Sequence, residues 1–195
     1  MTEAVVTTVD RITRSAGEAL GELGLASLTI GVVAERAGVS TALVHYHFDT
    51  KARLLVAAAR FLAGQRADRR VAALRPRGLP ALDALWASLE QSVGDGSARA
   101  WVELLLCSRG DADLITVLGE ARAAGLRELQ RRLPVLLREL GAAPHEAADE
   151  TSAALDAELD GLLIALLAGQ PAAVVRTAYD AFWLSLLASG QSRRR

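Results

Sequence analysis

Hydrophobic residues recur every three or four positions along most of the chain, which is the spacing of amphipathic α-helices and not the alternation of strands. One such stripe runs over residues 4–23 and ends at Gly24. Further helices are predicted at about residues 30–37, 41–47, 52–70, 80–93, 97–108, 112–140, 145–168 and 171–189. Pro134 is expected to kink or divide the longest of these. The pattern predicts an all-α protein.

The second and third predicted helices are short and are joined by a tight turn. Thr29 is placed to cap the first of the two, whose apolar positions recur at i, i+3, i+4 and i+7 from Ile30. Gly38 supplies the left-handed conformation that ends this helix, and Ser40 caps the next. The second helix of the pair is therefore only about two turns long.

This second short helix has two different faces. Val44 and Phe48 lie four residues apart and are expected to hold it against a core, which leaves its hydroxyl, imidazole and phenol groups facing outward. The outward residues are Thr41, Ala42, Leu43, His45, Tyr46 and His47. Two helices joined by a glycine turn, the second short and polar on one side, are typical of a helix-turn-helix that places its recognition helix in a DNA major groove.

The run AERAGVSTALVHYHFDTKARLL resembles the TetR family of bacterial transcription regulators. The likeness covers residues 8–60 and depends on AGVS, the Tyr-His-Phe run and a lysine three residues after Phe48, all in register. It implies an all-helical homodimeric repressor that leaves its double-stranded DNA operator when a small-molecule effector enters the C-terminal domain. It also implies a DNA-binding domain over residues 1–50, a helical effector-binding and dimerisation domain over 51–190 and a flexible basic tail over 191–195.

The resemblance assigns DNA contacts to individual residues. Base edges would be met by Thr41, Leu43 and His45, and phosphates would be held by Thr29, Tyr46, His47 and Lys51, with Ser40 and Ala42 completing the DNA-binding set. The chain departs from the family at Ala42, where Gly or Pro is usual, and at His45, where Tyr is usual, so the sequence read must differ. Gly31 and Val32 replace polar or basic residues, which puts a base contact from the first motif helix in doubt.

Charge adds modest support for an N-terminal DNA contact. The net charge is −1, but residues 1–70 hold 9 Lys+Arg against 7 Asp+Glu, and the remainder holds 13 against 16. Lys51 is the one lysine in the sequence and falls at the start of a predicted helix, where the positive end of the helix dipole favours an anion. Arg69 and Arg70 are instead expected on a solvated face.

The predicted helices 145–168 and 171–189 are unusually apolar. Such wide apolar surfaces need more than one partner face, and in the TetR resemblance these helices would form a four-helix bundle across a two-fold axis. The expected dimer contacts are Leu159, Leu163, Leu166, Val175, Tyr179, Phe182 and Trp183. The alternative is that both helices are inner core helices of a monomer.

An effector pocket is expected among the helices between residues 80 and 168. Trp86, Trp101 and Leu105 are its candidate walls, although ordinary core positions would explain the two tryptophans equally well. The available lining favours an apolar or weakly polar effector, and Glu103 is expected to be exposed. Cys107, the one cysteine, is interpreted as a buried small hydrophobe and not as a reactive thiol.

Other functional classes receive less support. His45 and His47 could suggest a metal site, but residues two apart on a helix point about 200° apart, so we expect none. A glycine-rich phosphate loop and a histidine close to Cys107 are both missing from the sequence, which argues against an enzyme, and no cofactor is predicted. No apolar run reaches the roughly 18 residues of a membrane span, and we expect a cytoplasmic protein. A helical interaction protein without DNA binding remains the main alternative.

Overall fold

The computed structural model describes residues 7–142 and 148–191, and every regular element in these ranges is an α-helix. The helices are α1 (Thr8–Leu23), α2 (Ile30–Ala37), α3 (Thr41–Phe48), α4 (Lys51–Ala73), α5 (Leu79–Gly94), α6 (Ser97–Cys107), α7 (Ala112–Glu139), α8 (Ala148–Leu167) and α9 (Ala172–Gln191). The all-α prediction is confirmed. None of the helices described is both long enough and apolar enough to cross a membrane.

The ends of several helices differ from the predicted ones for local reasons. The start predicted at residue 4 lies outside the described residues, and α1 is capped by Thr7, whose hydroxyl accepts from the Asp10 N–H at 3.1 Å. Pro80 lies in the first turn of α5, where a missing N–H costs nothing. Pro134 lies within α7, which does not divide there. The start predicted for the eighth helix, at residue 145, also lies outside the described residues.

The chain forms two compact units. The first unit comprises residues 7–65 and 94–121, and therefore holds α1–α3, most of α4, α6 and the beginning of α7. Its core is continuous and apolar, and α1 packs against both α2 and α6. Fully buried members of this core include Ile12, Leu20, Val33, Val44 and Leu104. Grouping α6 with the helix-turn-helix is not something that the sequence indicated.

Helix α6 is joined to α1 by a close backbone contact and by a carboxylate. A Cβ built on Gly96 would lie 2.5 Å from the Gly21 carbonyl oxygen, so only glycine permits this approach. Glu103 accepts a hydrogen bond from the Leu25 N–H at 2.5 Å and another from Arg99 Nε at 2.9 Å. The expectation of an exposed Glu103 is wrong: its side chain is 27% exposed because it closes the loop after α1.

The second unit comprises residues 66–93, 122–142 and 148–191 of the described chain. Its apolar core is built from α5, α7, α8 and α9, and α8 packs against α9. The break between α4 and α5 is fixed by Glu139, which accepts from the Gly78 N–H at 3.0 Å and from Arg77 Nε at 2.9 Å. These two hydrogen bonds, the backbone one first, lower the pKa of Glu139.

A buried ion network ties α4, α7 and α8 together within the second unit. Arg70 donates to Asp156 at 2.7 Å, and these two residues are 9% and 4% exposed. Arg66 donates to Asp160 at 2.6 Å, and Arg122 contacts both carboxylates. The expectation that Arg70 is solvated is wrong, because its partner lies 86 positions away in the sequence.

Candidate DNA-recognition site

The exposed surface of α3 is the candidate site, and it is shaped by the turn that precedes it. Gly38 ends α2 with φ 64° and ψ 41°, and its N–H bonds back to the Ala34 and Glu35 carbonyls. The predicted left-handed turn is confirmed. A two-turn helix then begins at Thr41 and ends at Phe48.

Burial separates the two faces of α3 as the spacing predicted. Val44 is 0% exposed and Phe48 is 7% exposed, and both lie in the core of the first unit. Leu43 is half-buried. The exposed residues are Thr41, Ala42, His45, Tyr46 and His47. Tyr46 is 81% exposed, which is unusual for an aromatic side chain that has no binding partner.

Two of the predicted DNA contacts also cap helices. The Thr29 hydroxyl accepts from the Val32 N–H at 3.2 Å, and the Ser40 hydroxyl accepts from the Leu43 N–H at 3.2 Å. Both residues are exposed, and in each the hydroxyl proton remains a donor. The caps therefore fix the position of these hydroxyls while leaving them able to donate to a phosphate oxygen.

The junction from α3 to α4 is tight. Asp49 has φ 59°, and its carbonyl oxygen lies 3.3 Å from His45 Nδ1. Thr50 caps α4 by accepting from the Arg53 N–H at 3.2 Å. Lys51 is the first residue of α4 and is exposed, so its ammonium group stands at the positive end of that helix dipole, as predicted.

Arg53 is a further candidate phosphate contact that the sequence-based prediction did not include. This residue lies in the first turn of α4, its side chain is 72% exposed, and its guanidinium is only loosely paired with Asp49 at 3.8 Å. A second cation two positions after Lys51 was the available signal. Arg36 is also exposed, but it donates to Glu22 at 2.7 Å, which joins α2 to α1 and lowers the pKa of Glu22.

The three candidate wall residues of an effector pocket are divided between the two units. Trp86 is 7% exposed in the second unit and Trp101 is 5% exposed in the core of the first, while Leu105 is 39% exposed. An open cavity of about 470 Å³ does lie in the first unit, but other residues line it. Its lining is Leu23, Gly24, Leu25, Ala26, Arg99, Glu103, Leu106 and Cys107. Cys107 is half-buried, and this burial raises the pKa of its thiol.

Most of the predicted dimer contacts are buried within one chain. Exposures of 1–3% are found at Leu159, Leu163, Val175, Tyr179 and Trp183, and Leu166 and Phe182 are half-buried. The large apolar side chains left exposed on α8 and α9 are different ones, namely Ile164 at 56%, Val174 at 57% and Leu184 at 69%. The periodicity of the sequence showed that both helices are apolar. It could not show which face of each helix is buried in the core of the same chain.

Among the described residues, no three His, Cys, Asp or Glu side chains are grouped closely enough to hold a metal ion. The exposed face of α3 therefore offers hydroxyl, phenol and imidazole groups on a short, capped helix, with cations following at the start of α4. This arrangement defines a helix-turn-helix DNA-binding protein.

Comparison with known proteins gives the family. The model for bacterial regulatory proteins of the tetR family matches residues 12–58, which hold the helix-turn-helix. The HTH-type transcriptional regulator BetI of Escherichia coli is 33% identical over 163 residues, covering 79% of this chain and 80% of BetI. The chain belongs to the TetR family, and it is a DNA-binding transcription regulator and not an enzyme.

Solved structures agree on the fold. A transcriptional regulator from Saccharomonospora viridis, solved in complex with choline, has a TM-score of 0.73 and 23% identity, covering 89% of this chain and 94% of its own. The multidrug binding protein EbrR, solved with ethidium, has a TM-score of 0.65 and 27% identity, covering 90% of this chain and 98% of its own.

Proposed function

We propose that the protein binds a palindromic operator as a homodimer, represses transcription from it in the cytoplasm, and leaves it when an effector binds. The observation that carries this proposal is the exposed face of α3, where Tyr46 is 81% exposed between two exposed histidines. A protein-interaction role without DNA would leave this face unused.

The DNA contacts proposed for the face follow its chemistry. Thr41 and His45 would bond to base edges in the major groove, and Leu43 would meet a thymine methyl or another apolar edge. Tyr46, His47 and Lys51 would hold phosphates, together with the hydroxyls of Thr29 and Ser40, while Ala42 would lie against the groove wall. Arg53 adds a further phosphate contact.

A dimer is needed because one two-turn helix makes too few contacts for specific binding at ordinary salt. We infer that its interface uses the outer faces of α8 and α9, where Ile164, Val174 and Leu184 are all more than half exposed. Small residues on the same two helices, including Ala157, Gly161 and Ala181, are also exposed and would let two helices approach closely. The inward residues of both helices would support this face from beneath.

The effector site is proposed to lie in the C-terminal domain, taken as residues 51–190, with residues 1–50 reading DNA. The sequence favours an apolar or weakly polar effector, and the choline and ethidium complexes of the two structural neighbours support widening this class to organic cations. Movement of α4 would then change the spacing of the two recognition helices, which must match half-sites about 34 Å apart.

Single substitutions test the proposed roles on a selected operator. Lys51→Ala should weaken binding to all duplexes alike and reduce the salt slope by about 1, because it removes one phosphate contact. Arg109→Ala, which removes an exposed cation of the first unit outside the helix-turn-helix, should change neither quantity. His45→Ala should instead change which sequences are preferred. An unchanged affinity and salt slope in Lys51→Ala would refute the phosphate assignment.

A further inference from the structure

An aromatic platform in the second unit is already covered by a cation. The rings of Trp86, on α5, and Tyr179, on α9, lie 5.6 Å apart between centroids. The guanidinium carbon of Arg176 lies 5.5 Å from the first ring and 5.3 Å from the second. Both distances are within the range of cation–π attraction.

The platform is rigid. Trp86 is 7% exposed and Tyr179 is 1% exposed, and the Tyr179 hydroxyl donates to the Leu82 carbonyl at 2.7 Å. Trp183 also contacts Tyr179 in a T-shaped arrangement, with ring centroids 6.2 Å apart. The two faces are therefore held in place independently of the guanidinium that covers them.

The covering cation is held by two ion pairs to surface carboxylates, and its own side chain is 31% exposed. Arg176 donates to Asp83 at 2.8 Å and to Asp180 at 2.9 Å, but the two carboxylate side chains are 70% and 51% exposed. Ion pairs at such exposed positions contribute little and are screened by salt. A competing cation could therefore displace Arg176 without disturbing the core.

We propose that Trp86, Tyr179, Asp83 and Asp180 form a binding site for a small organic cation, with Arg176 as a built-in competitor. Aromatic faces below and carboxylates at the rim favour a weakly hydrated cation that carries methyl groups or delocalised charge. A compact, strongly hydrated ion is disfavoured, because its contacts with the rings would not offset the free energy of removing its water. The identification of this site with the effector site rests on the proposed function, whereas the binding itself does not.

Binding is measured with tetramethylammonium by calorimetry at constant ionic strength, and by proton NMR, where ring currents shift methyl protons held over aromatic rings. Arg176→Ala should bind the probe at least tenfold more tightly than the wild type, because the competitor is gone. Arg131→Ala, which removes an exposed arginine paired with Glu128 on α7, should bind as the wild type does. Ammonium has the charge of the probe without its methyl groups, and tert-butyl alcohol has its approximate size without the charge. Neither compound should bind to the wild type or to Arg176→Ala.

A second variant separates cation binding from a change in folding. Adding Asp83→Asn to Arg176→Ala removes one rim charge at an exposed position and should weaken binding of the probe at least threefold. If Arg176→Ala did not fold, Arg176→Gln would replace it. Equal affinity in the wild type and the Arg176 variant, or no saturable binding in either, would overturn the site.

Operator binding is then measured with and without the probe. Release of the duplex by tetramethylammonium, in proportion to its occupancy of the site, would identify the site as the effector site. A protein that binds the duplex but not the probe would keep the proposed function and lose the cation site. A protein that binds the probe but no duplex would keep the site and lose the proposed function.

Discussion

Replacing Asp156 tests how strongly the second unit depends on its buried ion network. Asp156 is 4% exposed and accepts from Arg70, which is itself 9% exposed. The change Asp156→Leu would leave the Arg70 guanidinium in the interior without this carboxylate. Removing one partner of a buried pair costs about 3–5 kcal/mol of unfolding free energy, because the remaining charge is desolvated and uncompensated.

The expected loss is measured by urea unfolding followed by circular dichroism. For a chain of this size, about 3–5 kcal/mol corresponds to a fall of roughly 6–20 °C in Tm. The double variant Arg70→Met with Asp156→Leu should recover most of the loss, since neither charge is then buried alone. Asp83→Leu, at an exposed carboxylate of the same unit, should cost less than about 1 kcal/mol. A loss below about 1 kcal/mol in Asp156→Leu, or no recovery in the double variant, would show that the second unit does not depend on this buried ion pair.

Three further predictions concern joints in the fold. Glu103→Ala should lower the unfolding free energy by about 1.5–3 kcal/mol, with Glu103→Gln closer to wild type, because the backbone N–H in the loop after α1 loses a charged acceptor. Gly96→Ala should lower the unfolding free energy by about 2–5 kcal/mol, because its φ is positive and the new Cβ would clash with the Gly21 carbonyl. The control Gly110→Ala, where φ is also positive but the space is open, should lower it by less. Equal losses of the two variants in urea unfolding would argue against the clash. Because the pKa of Glu139 is lowered in the folded protein, its carboxylate stabilises the fold above the usual glutamate pKa, and this stabilisation is lost as the pH falls. Glu139→Gln should therefore flatten the decline in unfolding free energy between about pH 5 and 3. An unchanged pH profile of stability in this variant would count against the role of Glu139.

Local spacing was enough to predict the recognition helix. Val44 and Phe48, four residues apart, are buried as expected, and Gly38 and Ser40 end one helix and begin the next. These features depend on neighbours within a few positions, which is the range that propensity and periodicity describe.

Features that depend on distant partners were not predictable. Arg70 looked like part of a solvated basic run, because Asp156 is brought to it only by the packing of α8. Tyr179 belonged to an apolar stripe, but which side of that stripe faces its own core depends on α5. The periodicity of a helix shows which of its residues share an apolar face, but not which other element packs against that face.

The most direct test of α3 as a recognition helix is selection of random DNA duplexes by the purified protein, with the bound pool sequenced and its affinity titrated at two salt concentrations. We expect enrichment of a palindromic site, bound by a dimer with an affinity that falls steeply as salt rises. The selection is repeated after unfolding and refolding to remove any bound effector. A folded dimer that enriches no sequence after this treatment would contradict the assignment of α3 as a recognition helix.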